Sequence, residues 1–81
     1  MFYVYILKSE SDHKRYYVGS TSDLKRRLAE HNRGDSTHTA YHRPWSLINY
    51  FAFLTRKKAE TFEAYLKTCS GRKFQLRHLG E

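Results

Sequence analysis

The sequence predicts an α+β fold, a small three-stranded antiparallel sheet flanked by helices in the order β-β-α-β-α-α. Three observations carry it: two aromatic and β-branched runs separated by a polar break, a third apolar run later in the chain, and two segments with apolar residues at helical spacing. The opening "MFYVYILKS" and the later "KRYYVGST" form the two strands of a hairpin across the polar "SESDHK". Gly19 ends the second strand, Ser20, Thr21 and Ser22 supply capping side chains, and Asp23 suits the positive end of a helix that runs to about Asn32. The stretch "RGDSTHTAYHRPW" has no sustained period, carries Gly34 and Pro44, and is expected to be an exposed loop.

The run "SLINYFAFL" sets Leu47, Phe51 and Phe53 on one face and Ile48, Ala52 and Leu54 on the other, so this third strand is expected to be covered on both sides. Thr55 caps a helix running to about Thr68, Ser70-Gly71 interrupts it, and "RKFQLRHL" forms a last short helix that buries Phe74 and Leu79.

A chain of 81 residues allows one small domain, expected to span residues 1–81, and its 40% hydrophobic and 16% aromatic content suits a folded core. Fifteen Lys and Arg against eight Asp and Glu give a net charge of +7, a field that attracts polyanions and makes nucleic acid the leading partner class. Cys69 is alone, which excludes an internal disulfide, and no Cys and His cluster has zinc-site spacing. His38 and His42 have HxxxH spacing, which without further ligands reads as loop surface. Neither a signal-peptide pattern nor a membrane-length apolar run is present, and a cytoplasmic location is expected.

Two helical stripes carry charge where apolar residues belong. Leu24, Arg27, Leu28 and His31 share one face of the first helix, and Ala59, Phe62, Glu63 and Leu66 share one face of the second. Lys25, Arg26 and Glu30, like Arg56, Lys57, Lys58 and Glu60, fall off those stripes as solvated charges do. A charge at a core edge costs free energy unless it is paired, so the stripe residues form either a buried Arg27–Glu63 salt bridge or a functional site. Period-two alternation puts Tyr3 and Tyr5 on one face of the first strand, Tyr17 follows on the second, and a buried phenol seeks a polar partner.

Tyr3-Val4-Tyr5, then Tyr17-Val18-Gly19, then Arg27, His31 and Glu63, resemble the GIY-YIG nuclease domain over nearly the whole chain. The "RPW" before the third strand and "YLKTCSGRKF" at Tyr65 to Phe74 are similar to the stand-alone bacterial members; homing endonucleases and the excinuclease C subunit are larger relatives with added domains. Tyr3 stands in place of the first glycine of the name motif and Val18 in place of its isoleucine. The resemblance implies that Tyr5 is the general base toward water, that His31 assists it and that Tyr17 supports the site through its hydroxyl. It further implies that Arg27 contacts the scissile phosphate and that Glu63 holds one divalent cation, Mg²⁺ or Mn²⁺.

Lys25, Arg26, Arg33, Arg43, Lys67, Arg72 and Lys73 are candidate phosphate contacts, although Lys67, four residues after Glu63, also suits a local helix pair. Trp45 and Tyr41 are candidate stacking residues, although Trp45, next to Pro44, better suits a hydrophobic anchor that fixes the loop onto the core. The expected function is a metal-dependent endonuclease on DNA, including nicked, flapped or branched DNA, with RNA not excluded. Its alternative is a nucleic-acid-binding module of little or no catalysis that acts with a protein partner.

Overall fold

Apolar residues at four successive positions, Val4 to Leu7, suit a strand with a layer on each side. The computed structural model describes residues 1–75 and residue 77. It contains β1 (Phe2–Ser9), β2 (Tyr16–Thr21), α1 (Leu24–Arg33), α2 (Thr37–Ala40), β3 (Trp45–Phe53), α3 (Arg56–Leu66) and α4 (Cys69–Phe74). The sheet is antiparallel and three-stranded in the order β2-β1-β3, so β1 is central and all four residues from Val4 to Leu7 are buried.

Period-two alternation then divides the core. Val4, Ile6 and Val18 pack with Ala59 and Leu66 of α3 on one face, while Tyr5, Leu7 and Trp45 pack with Tyr17, Leu24 and Leu28 on the face covered by α1.

The double covering expected of the third strand belongs instead to β1. β3 is an edge strand on which Tyr50 and Ala52 are exposed, and Leu54 just beyond it is exposed too. Its expected face pattern is also corrected. Ile6 pairs with Asn49 but Leu7 pairs with Leu47, so an extra residue, Ile48, enters β3 and resets the side-chain parity. Leu47 therefore packs with Tyr5 and Leu7, whereas Ile48, Phe51 and Phe53 pack on the α3 side.

The helix termini follow local rules with two shifts. Asp23 itself caps α1, its Oδ1 accepting from the Arg26 N–H at 3.1 Å, which frees Ser20 for another partner. Thr55 caps α3 as expected, accepting from the Lys58 N–H. Ser70 and Gly71 lie inside α4, which starts at Cys69 under a Thr68 cap, rather than interrupting a helix. Glycine is required there because a Cβ on Gly71 would stand 1.9 Å from the Tyr65 carbonyl oxygen, so α4 turns back directly against the end of α3. The expected burial of Phe74 and Leu79 lies outside the described residues and side chains. The expected loop after α1 contains the single turn α2, too short to show a period, and Thr39 within it is fully buried.

Leu66 joins α3 to β1 and is 0% exposed. Leu66→Ala is expected to lower unfolding free energy by about 2–5 kcal/mol, read as a reduced denaturant midpoint at unchanged slope.

Candidate active site

The β1–β2 register sets Tyr5 opposite Gly19. A Cβ on Gly19 would stand 2.6 Å from the Tyr5 hydroxyl oxygen and 2.9 Å from the Tyr17 ring, so the bare glycine backbone provides the space that the phenol occupies. Tyr5 is 1% exposed, and its hydroxyl lies 2.8 Å from Nε2 of His31 in the last turn of α1. The other imidazole nitrogen, Nδ1, lies 2.7 Å from Thr39 Oγ1. Tyr17 completes the cluster, its ring centroid 6.2 Å from that of Tyr5 and 5.0 Å from that of His31, with Trp45 at 6.4 Å behind it.

Arg27 stands one turn before His31 on the same stripe. Its guanidinium lies close enough to the Tyr5 hydroxyl to favour the phenolate, and its Nη1 donates to Glu30 Oε1 at 3.0 Å. The Arg27–Glu63 salt bridge weighed from the sequence is therefore not the pairing adopted: Arg27 pairs with Glu30 and Glu63 with Lys67. Helix neighbours three and four apart meet without further folding cost, whereas α1 and α3 cover opposite faces of the sheet. Glu30, expected to be a solvated off-stripe charge, is half-buried and holds Arg26 and Arg27 together. Its spacing of three from Arg27 and four from Arg26 was the local signal that could have marked it.

Burial pushes the Tyr5 phenol up from 10.0 to about 12; the nearby Arg27 guanidinium opposes this, and Tyr17 and Glu63 add to it. Burial also lowers His31, and the Arg27 charge lowers it further, so the imidazole is neutral near neutral pH. Arg27 is raised, chiefly by its bond to Glu30 and then by Tyr5, and Glu30 is lowered, chiefly by Arg27.

Glu63 belongs to the α3 face. Its Oε1 accepts from the Ser20 hydroxyl at 2.7 Å and its Oε2 from Lys67 Nζ at 2.7 Å. Burial raises its pKa, but the bonds from Lys67 and Ser20 outweigh that and leave it below the usual carboxylate range. Ser20 follows Gly19 in β2 and lies on the opposite pleat, so Glu63 flanks β2 across from the phenol, near enough for its charge to act on Tyr5. Among the described residues no three or more of His, Cys, Asp and Glu gather as metal ligands. One ionised carboxylate suits a hard cation that keeps waters or phosphate oxygens in its other positions, provided that Lys67 yields its place on Oε2.

The candidate phosphate contacts are scattered. Arg26 is paired with Glu30, Arg33 with Asp35 at 2.8 Å, and Lys67 with Glu63; Arg43 donates to the carbonyls of Ala40 and Arg33. Lys25, Arg72 and Lys73 are exposed. Lys67 and Arg72 share a cavity of about 630 Å³ with Lys14 and Arg15, two cations that the sequence reading missed; "HKRYY" beside the second strand was their only signal. Tyr41 is exposed, whereas Trp45 is a buried anchor that donates Nε1–H to the Thr39 carbonyl. His38 is exposed and His42 half-buried, its carbonyl accepting from Ser9.

A phenol whose pKa is raised on folding stabilises the fold fully below its unfolded value, and that stability is lost as the pH rises through the folded value. Between pH 10 and 12 the stability of this chain is expected to fall by about 3 kcal/mol through Tyr5 alone. Denaturation at stepped pH, with Tyr5→Phe lacking this component, measures it. Gly19→Ala is expected to displace the Tyr5 ring and break its bond to His31, seen as changed ring resonances of both residues.

The GIY-YIG catalytic domain matches residues 1–75. UPF0213 proteins of Streptococcus pyogenes serotype M5 (strain Manfredo) and serotype M2 (strain MGAS10270) are each 38% identical over 78 residues, covering 95% of this chain and 83% of theirs. The solution NMR structure of the UPF0213 protein BH0048 from Bacillus halodurans superposes with a TM-score of 0.57 at 33% identity, covering 98% of this chain and 85% of that one. No helix among the described residues is long and apolar enough to cross a membrane. The strand pairing that sets Tyr5 over Gly19 and the match along the chain lead to one assignment: this protein belongs to the GIY-YIG catalytic domain family.

Proposed function

We propose that this chain is a metal-dependent endonuclease that hydrolyses phosphodiester bonds in DNA. The observation that carries the reading is the buried Tyr5–His31 hydrogen bond with the Arg27 guanidinium beside it. A neutral phenol accepts a proton from water only as it gives up its own. His31, kept neutral by burial, is placed at 2.8 Å to receive that proton at Nε2 while Tyr5 takes one from the attacking water. Arg27 favours the phenolate oxygen as charge develops there. Its guanidinium has five N–H donors, so the bond to Glu30 leaves donors for a phosphate oxygen. Glu63 would hold the divalent cation, which supplies Lewis-acid stabilisation of the phosphate. Tyr17 lines the phenol's pocket and limits its access to bulk water.

The net charge of +7 and the Lys14, Arg15, Lys67 and Arg72 rim support a polyanionic substrate. Contacts of that kind read backbone rather than base edges, which favours recognition of structure such as nicks, flaps or branches. The binding-module reading rests on a different observation, that both Glu63 oxygens are already engaged by Ser20 and Lys67.

Cleavage of labelled single-stranded, duplex, nicked and branched DNA and of RNA, with Mg²⁺ or Mn²⁺, separates the two. Glu63→Ala and Arg27→Ala are expected to lose about 10²-fold or more in turnover while affinity changes little, and a chelator is expected to abolish cleavage. Arg72→Ala is expected to leave turnover intact and to reduce the salt dependence of binding by about one counterion. Salt-sensitive binding without cleavage on every substrate would leave the binding module as the function.

A further inference from the structure

We propose that Thr39 is a positioning residue: its hydroxyl accepts the His31 Nδ1–H and so holds the tautomer whose unprotonated Nε2 faces Tyr5. The proposal rests on the reading that Tyr5 is the general base.

The geometry admits two directions along the chain Tyr5–His31–Thr39, with links of 2.8 and 2.7 Å. In one, Nε2–H donates to the phenol oxygen and the Thr39 hydroxyl donates to Nδ1. In the other, the phenol O–H donates to Nε2 and Nδ1–H donates to Thr39. Each hydroxyl carries one proton, so the first direction leaves the Tyr5 proton and the second the Thr39 proton outside the chain of bonds. The first direction puts the imidazole proton on Nε2, where it bars transfer of the phenol's proton to His31. The second leaves Nε2 open to the phenol's proton, as the general-base reading requires.

Thr39 is built to do this. It is 0% exposed, as is His31, and so no water competes for Nδ1. Trp45 Nε1–H donates to the Thr39 carbonyl at 2.8 Å, and the Trp45 backbone is gripped at both its N–H and its carbonyl by the Asn32 side chain, the residue next to His31. The single turn α2 is thereby fastened to both the strand and the helix that frame the site. A hydroxyl also differs from a carboxylate in this position. It orients the ring without an anion that would stabilise imidazolium, so His31 stays a neutral acceptor beside the cation Arg27.

Nitrogen-15 NMR of the His31 ring, in wild type, Thr39→Ser and Thr39→Val, tests the proposal alongside kcat and KM on whichever nucleic acid the wild type cleaves. The expected wild-type spectrum has the proton on Nδ1, Thr39→Ser keeps it there, and Thr39→Val shifts population to the Nε2–H form. The valine variant is expected to lose about 10- to 100-fold in kcat at little-changed KM, with the serine variant restoring most of it. A wild-type proton on Nε2 would overturn the proposal, and so would a Thr39→Val protein with unchanged tautomer and kcat. The wild-type spectrum decides even if the valine variant does not fold. A chain that cleaves none of the substrates would defeat the nuclease reading, while the tautomer comparison would still judge the role of Thr39.

Discussion

The hydrogen bond between Tyr5 and His31 is the constraint around which this small domain is arranged. A phenol 1% exposed and an imidazole 0% exposed each carry polar atoms shielded from bulk solvent, and leaving either unpaired would cost about 1–3 kcal/mol. Meeting that need sets the neighbours. Gly19 has no side chain because the phenol fills its place, α1 presents His31 on its leucine stripe, and Thr39 is brought inward to complete the imidazole. No buried side-chain polar atom among the described residues lacks a partner.

The second governing feature is that β1 is covered on both faces while β2 and β3 form the edges. Tyr5 belongs to the α1 layer and Glu63 to the α3 layer, so a site needing both must lie where the layers come within reach of each other. Adjacent residues of an edge strand point to opposite faces, and Gly19 and Ser20 use that property: one admits the phenol, the other binds the carboxylate. The site is thus assembled across a strand rather than in a cleft between helices.

Electrostatics at the site follow from this division. Arg27 and Glu30 neutralise each other on one side, Lys67 and Glu63 on the other, and the phenol between them is kept protonated mainly by desolvation. The cations around the cavity beneath α3 and α4 come from the hairpin and from both helices, so their grouping exists only in the folded chain.

Element order, the leucine stripe bearing Arg27 and His31, and the placement of Tyr5 were legible in the sequence because each depends on a period of two or 3.6 residues along a contiguous segment. The resemblance carried by Tyr-Val-Tyr, Tyr-Val-Gly, Arg27, His31 and Glu63 was likewise visible, being a matter of residue type and spacing. Other features were decided by the tertiary structure alone. Which strand is central, the extra residue Ile48 that reverses the facing of Leu47, the choice of Glu30 over Glu63 as the partner of Arg27, and the burial of Thr39 all depend on segments distant in sequence. Local periodicity states which way a side chain points from its own helix or strand. What it then meets is set by long-range pairing and by the free-energy cost of leaving a buried polar group alone, and neither is written into any single segment.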